Sequence, residues 1–187
     1  NVITGNHKAD VLYGGAGHDT LFGVENRNRL YGGDGNDQLF GGTGIDKLYG
    51  DAGSDTLSGG DGDDHYFIDI NDVLVEQANG GFDTVHVDFN ATLAMNFEAL
   101  ILGTGATTGT GNAAANRIEG AGNDNTLSGL AGDDTLKGNG GRDQVFGGSG
   151  NDVLFGGTSN DTLRGGDDDD KLYGDEANDL LFGEAGN

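Results

Sequence analysis

An acidic or amide residue returns every nine positions along most of this chain. In the first stretch it is Asp10, Asp19, Asn28, Asp37, Asp46, Asp55 and Asp64. In the second it is Asn116, Asn125, Asp134, Asp143, Asp152, Asp161, Asp170 and Asp179. Each is the sixth residue of a nonapeptide that opens on glycine, as in "GGDGNDQLF" (32–40) and "GGSGNDVLF" (147–155). An ionised carboxylate offers only acceptor oxygens. Set beside glycine-rich turns with their own carbonyl oxygens, it suits a hard divalent cation with about 6–8 oxygen ligands, and calcium tolerates such irregular geometry better than magnesium. Transition metals are disfavoured, because the four His are isolated and there is no Cys.

The rest of the repeat says how those oxygens are positioned. Glycines at Gly5 through Gly59 and Gly111 through Gly183 recur in steps of nine, giving seven full repeats, then eight and the truncated "GEAGN". Six residues of Gly and Asp type predict a turn. Three residues around one apolar side chain predict a very short strand. One turn and one strand cannot close, but two of each can, which gives a coil of 18 residues. Leu12, Leu30 and Leu48 then form one internal ladder, and Leu21, Leu39 and Leu57 the facing one. Stacking also places Asp19, Asp37 and Asp55 in a column about 4.8 Å apart. Like charges at that separation repel unless a cation lies between them.

The pattern G-G-x-G-x-D-x-U-x, with U apolar, resembles that of RTX proteins, the hemolysin-type calcium-binding repeats. The resemblance implies a parallel β-roll, with calcium held between turns by the position-6 aspartates and backbone carbonyls. It also implies one-step export and folding in the calcium-rich exterior. Pairing aspartates 18 residues apart gives about seven strong candidate sites: Asp19/Asp37, Asp37/Asp55, Asp46/Asp64, Asp134/Asp152, Asp143/Asp161, Asp152/Asp170 and Asp161/Asp179. Mixed pairs are weaker: Asp10/Asn28, Asn28/Asp46, Asn116/Asp134 and Asn125/Asp143. The repeats holding Ser159 and Asp168 lack glycine at position 4, which weakens the expectation for their sites.

Composition narrows the function classes. The chain has 39 Gly in 187 residues, no Pro, Cys or Trp, and a formal charge of −23. Nine scattered Lys and Arg argue against nucleic acid, and no apolar run approaches the roughly 20 residues of a membrane helix. Composition alone favours disorder, but the sustained phase of the repeats argues against it. No HExxH motif, nucleophile elbow or Cys nucleophile is present, so no catalytic constellation is read and the chain is not expected to be an enzyme. The position-9 aromatics Tyr13, Phe22, Tyr31, Phe40 and Tyr49 are expected to point outward, as a stacked ladder rather than a docking stripe. Residues 68–110 leave the period. There "DVLVE" (72–76), "FDTVHVDF" (82–89) and "NFEALILG" (96–103) read as strands, while Asp69, Asp72 and Asp83 could add ligands but are expected in turn or surface roles.

The expected fold is all-β: a solenoid of two right-handed parallel β-roll arrays, 1–67 and 111–187, joined by a non-repeat β segment, 68–110, that caps or bridges them. The expected function is an extracellular calcium-binding module that folds on binding several ions, as the accessory or scaffold part of a secreted bacterial protein. The alternative is a structural or adhesive surface protein whose rolls stack head to tail. It draws on one observation: "GEAGN" followed by "NVITG" restores the nine-residue phase. Expected partners are calcium ions, with other copies or an adjacent domain beside them, and neither nucleic acid nor inserted membrane.

Overall fold

A computed structural model of the chain describes residues 1–186, so Asn187, the last residue of the head-to-tail junction, lies outside the described residues. There is no helix among them, and the strands pair in parallel. The chain forms two compact units, Asn1–His86 and Val87–Asn187.

In the first unit, Val2–Thr4, Thr20–Glu25, Gln38–Thr43, Thr56–Asp61 and Val73–Leu74 make one sheet in that order. Val11–Ala16, Arg29–Asp34, Lys47–Ala52 and His65–Phe67 stack in the other. The register is 18 residues: Leu12 pairs with Leu30 and Leu30 with Leu48, while Leu21 pairs with Leu39 and Leu39 with Leu57. Both expected ladders are therefore present. Leu21, Leu30, Leu39, Leu48 and Leu57 are wholly buried, and each such burial contributes about 1.5–3 kcal/mol relative to exposure.

The second unit repeats the plan. Ile118, Leu136, Leu154 and Leu172 line one sheet, and Leu127, Val145, Leu163 and Leu181 the other.

Two features differ from expectation. Most strands have six residues, not three, as in Thr20–Glu25. Parallel stacking also pairs the first half of each turn, for example Val24 with Gly42 and Glu25 with Thr43. The non-repeat residues also continue the coils of each unit. Leu74 pairs with Leu57 at a spacing of 17, Val85 with Tyr66 at 19, and Leu100 with Ile118 at 18. A coil thus tolerates one residue more or fewer provided its inward side chain keeps its place.

The turns require left-handed backbone. Gly33 and Gly35 have φ of +101° and +131°. Where glycine is missing the conformation persists: Val24 has φ 84°, Ser159 84° and Asp168 80°. On the outside, ring stacking runs from Tyr13 to Tyr31 (4.8 Å), Tyr49 (4.5 Å), Phe67 (4.3 Å) and His86 (4.3 Å), with Phe22 on Phe40 in the other sheet. The aromatics form the expected ladder.

Candidate metal centre

Asp37 displays the arrangement at its simplest. Its Oδ1 accepts the backbone N–H of Asp19 at 2.7 Å, and its own N–H donates to Oδ1 of Asp55 at 2.7 Å. Its Oδ2 is buried and has no hydrogen-bond partner. A Cβ on Gly32 would fall 2.7 Å from that oxygen and 2.6 Å from the Gly50 carbonyl oxygen. Glycine at position 1 therefore keeps open a space lined by oxygens, which a methyl group would fill.

The same ladder runs through both units. Asn28 donates to Asp46, Asp46 to Asp64 and Asp55 to Asp72; Asn116 donates to Asp134, Asp134 to Asp152 and Asp152 to Asp170. Asn125 donates to Asp143, Asp143 to Asp161 and Asp161 to Asp179. The N-terminal ammonium makes the equivalent contact to Asp19. Among the described residues, the position-6 aspartates with a buried, partnerless Oδ2 are Asp19, Asp37, Asp46, Asp55, Asp64, Asp134, Asp143, Asp152, Asp161 and Asp170. A buried polar atom left without a partner costs about 1–3 kcal/mol, and more when charged.

Asn28 reveals what those oxygens face. Nδ2 of Asn28 occupies the second branch and donates to the carbonyls of Glu25 at 3.1 Å and Asn26 at 3.5 Å, both in its own turn. At Asn28 the amide thus supplies a donor to the carbonyls of its own turn. Asn125 and Asn116 are turned the other way: Nδ2 donates to the Ala106 carbonyl at 3.1 Å and to the Phe97 carbonyl at 3.3 Å, while Oδ1 takes the second branch and accepts the N–H of Ala121 at 2.7 Å and of Asn112 at 2.6 Å. An aspartate in the place of Asn28 sets oxygen against oxygen, an arrangement that a proton or a cation relieves. The donor set holds no nitrogen or sulfur, so it fits a hard cation such as calcium.

Electrostatics agree. Burial pushes the carboxyls of Asp46, Asp55, Asp143 and Asp152 up to about 6, Asp134 to about 7 and Asp64 to about 8. The backbone N–H bond to each works in the opposite direction. Neighbouring carboxylates raise several further, as Asp152 does for Asp134.

Two position-6 residues differ. Asp10 uses both oxygens within its own turn, Oδ2 accepting the Asn6 N–H at 2.6 Å and Oδ1 the Asn6 side-chain amide at 2.8 Å. Asp179 accepts from Asp161 at 2.9 Å and is only half-buried.

Three features were ranked second or missed by sequence reasoning. Asp72 and Asp83, placed in turn or surface roles, extend the carboxylate columns: Asp55 N–H donates to Asp72 at 2.9 Å and Asp64 N–H to Asp83 at 2.8 Å. Asp72 also accepts the Asp69 N–H, so the turn role is present beside the new one. Glu76 approaches Asp64 and Asp83, one carboxylate oxygen of each lying within 4.8 Å of the others. Position 5 builds a second ladder at the rim, with Asn36 N–H donating to His18, Ser54 to Asn36, and Asn151 to Asp133. No spacing rule marks Asp72, Asp83 and Glu76, but the rim ladder shares the nine-residue period.

No curated protein matches the chain. The RTX calcium-binding nonapeptide repeat family matches residues 1–30, 31–66, 102–136, 119–154 and 155–187, well over half of the chain. The two units are thus calcium-binding β-rolls, and the sequence pattern, the parallel coils and this match agree that the chain belongs to the RTX repeat family.

Proposed function

We propose that the position-6 aspartates hold calcium between successive turns, that folding and ion binding are one event, and that both take place outside the cell. The chain acts as the accessory or scaffold part of a secreted bacterial protein. One observation carries the reading of the sites: the partnerless Oδ2 atoms stand where Asn28 needs an amide donor. The paired columns Asp19/Asp37/Asp55, Asp46/Asp64, Asp134/Asp152/Asp170 and Asp143/Asp161/Asp179 are the sites, while Asp10, already bonded to Asn6, binds weakly. Bound calcium supplies positive charge and oxygen coordination. The residues supply fixed carboxylates, turn carbonyls and a glycine-sized opening.

Coupling to folding follows from linkage. With free calcium near ten times each dissociation constant, each site adds roughly 1.4 kcal/mol, or about 10 kcal/mol over seven independent sites. That equals the stability of a whole domain. An exterior rich in calcium thereby becomes the place where the arrays 1–67 and 111–187 fold, with 68–110 closing their coils. No helix among the described residues is long and apolar enough to cross a membrane.

Sedimentation velocity of metal-stripped protein, with and without millimolar calcium, tests this. A slow, expanded chain that turns compact with calcium supports the reading. Identical sedimentation in both buffers overturns it. Larger species with calcium would point instead to a structural or adhesive protein that self-associates.

A further inference from the structure

The end of the first unit holds a group that the repeat pattern does not generate. Asp64 is the last position-6 aspartate of the first array, and Asp83 and Glu76 come from outside the repeats. One oxygen from each lies within 4.8 Å of the other two. Asp64 and Asp83 are wholly buried.

We propose that Asp64, Asp83 and Glu76 form a calcium site of their own, one that fastens the non-repeat residues 73–86 onto the end of the array. The inference rests on the reading that the repeat columns take calcium, but it concerns a different donor set: three carboxylates gathered from three coil segments, not two aspartates 18 residues apart.

Two observations beyond the acidic cluster point to a ligand. Oδ2 of Asp64 is buried without a hydrogen-bond partner, since Oδ1 alone takes the Asp46 N–H. And the wall is glycine: a Cβ on Gly59 would lie 2.5 Å from the Tyr66 hydroxyl and closer still to Asp64 Oδ2. Tyr66 stands where other repeats place leucine. Its hydroxyl accepts the Gly59 N–H at 2.6 Å and donates to Glu76 Oε2. The tyrosine therefore holds Glu76 in place from inside the core.

The chemistry selects the ion. Three ionised carboxylates at this distance repel one another strongly in a buried setting. Oxygen separations up to 4.8 Å match an ion with oxygens at about 2.3–2.6 Å. The group contains no His or Cys, which disfavours zinc. The ion would tie Glu76 and Asp83 to Asp64 and so hold both Val73–Leu74 and the strand starting at Thr84 against their neighbours in the first unit.

Calcium titration of the full chain by calorimetry tests the site, comparing wild type with Glu76→Gln, Asp83→Asn and the second-unit control Asp152→Asn. Glu76→Gln keeps an acceptor for the Tyr66 hydroxyl. The proposal expects Glu76→Gln and Asp83→Asn each to lose one bound ion while the remaining ions bind as before. It also expects amide exchange over residues 73–86 to stay fast at calcium levels that protect the wild type. A second measurement does not remove a carboxylate. Terbium emission excited through tyrosine should fall most in Tyr66→Phe and little in Tyr49→Phe, with calcium binding retained in both. Unchanged ion counts in both carboxylate variants, or terbium emission indifferent to Tyr66→Phe, would overturn the site and leave the repeat columns standing. A wild type that binds no calcium would instead overturn the reading of the columns themselves.

Discussion

The turn at Asn28 and the turn at Asp37 share one fold and differ at a single branch. Both residues accept a backbone N–H through Oδ1, from Asp10 at 3.0 Å and from Asp19 at 2.7 Å. Asn28 then closes its turn with its own amide protons. Asp37 has a second oxygen and nothing to give. The β-roll is thus compatible with either residue, but on the proposed reading only the aspartate version would make the fold conditional on a cation. On that reading calcium dependence would be a property of that branch, added turn by turn, and not of the backbone itself.

The most severe test removes the cation altogether. Chelation is expected to remove about 10 kcal/mol of stability if seven independent sites each sit near tenfold saturation. Circular dichroism with increasing calcium would report it as a steep, cooperative gain of β signal. Spread evenly across turns, a graded response would separate the two kinds of turn into independent units.

Protons offer the next largest effect. Without calcium, Asp46, Asp55, Asp134, Asp143, Asp152 and Asp64 hold their protons to between about 6 and about 8 in the folded chain, against an ordinary value of 3.8. The folded state then binds more protons than the unfolded one. Stability of the metal-free chain should fall as pH rises from about 4 to about 8. With calcium present the order reverses, because ion binding displaces those protons and tightens as pH rises. Thermal midpoints in chelator and in calcium, measured across that range, should diverge.

Exchanging the branch itself comes next. Asp37→Asn should cost roughly 1.4 kcal/mol for each site that loses its ion at tenfold saturation, yet stabilise the chelated protein by supplying the missing donor. Asn28→Asp should do the reverse. Calcium binding and denaturant midpoints in both buffers give the four signs, and a change of the same sign in both buffers would break the comparison.

Smallest is the backbone term. Val24 is β-branched and holds φ 84° where the intact repeat has glycine. Val24→Gly should stabilise by about 1 kcal/mol, the left-handed strain relieved being partly offset by glycine's entropy. Denaturant unfolding in calcium would measure it.

Much of this was legible from the chain. The leucine ladders and the aspartate columns follow from an 18-residue coil, because a period survives any uncertainty about where strands begin. Asp72 and Asp83 could be named as possible ligands but not placed in the columns, since spacings of 17 and 19 carry them out of phase while their backbones stay in register. Glu76 was hidden because its approach depends on a loop path, not a period. The rim ladder escaped for a different reason: His18, Asn36, Asp133 and Asn160 do one job with different residue types. Asp10 stands in one of the weaker mixed pairs, and the motif does not show that its neighbour Asn6 occupies both its oxygens.

The outer rings carry a consequence for how such an array changes length. Tyr13, Tyr31 and Tyr49 stack on one sheet, and Phe22 and Phe40 on the other. An insertion or deletion of nine residues would move every later ring to the opposite sheet and break both stacks. Eighteen residues leave each ring on its own kind. The unit that lineages can copy or lose without disturbing the surface is therefore the whole coil, although the motif is written in nines.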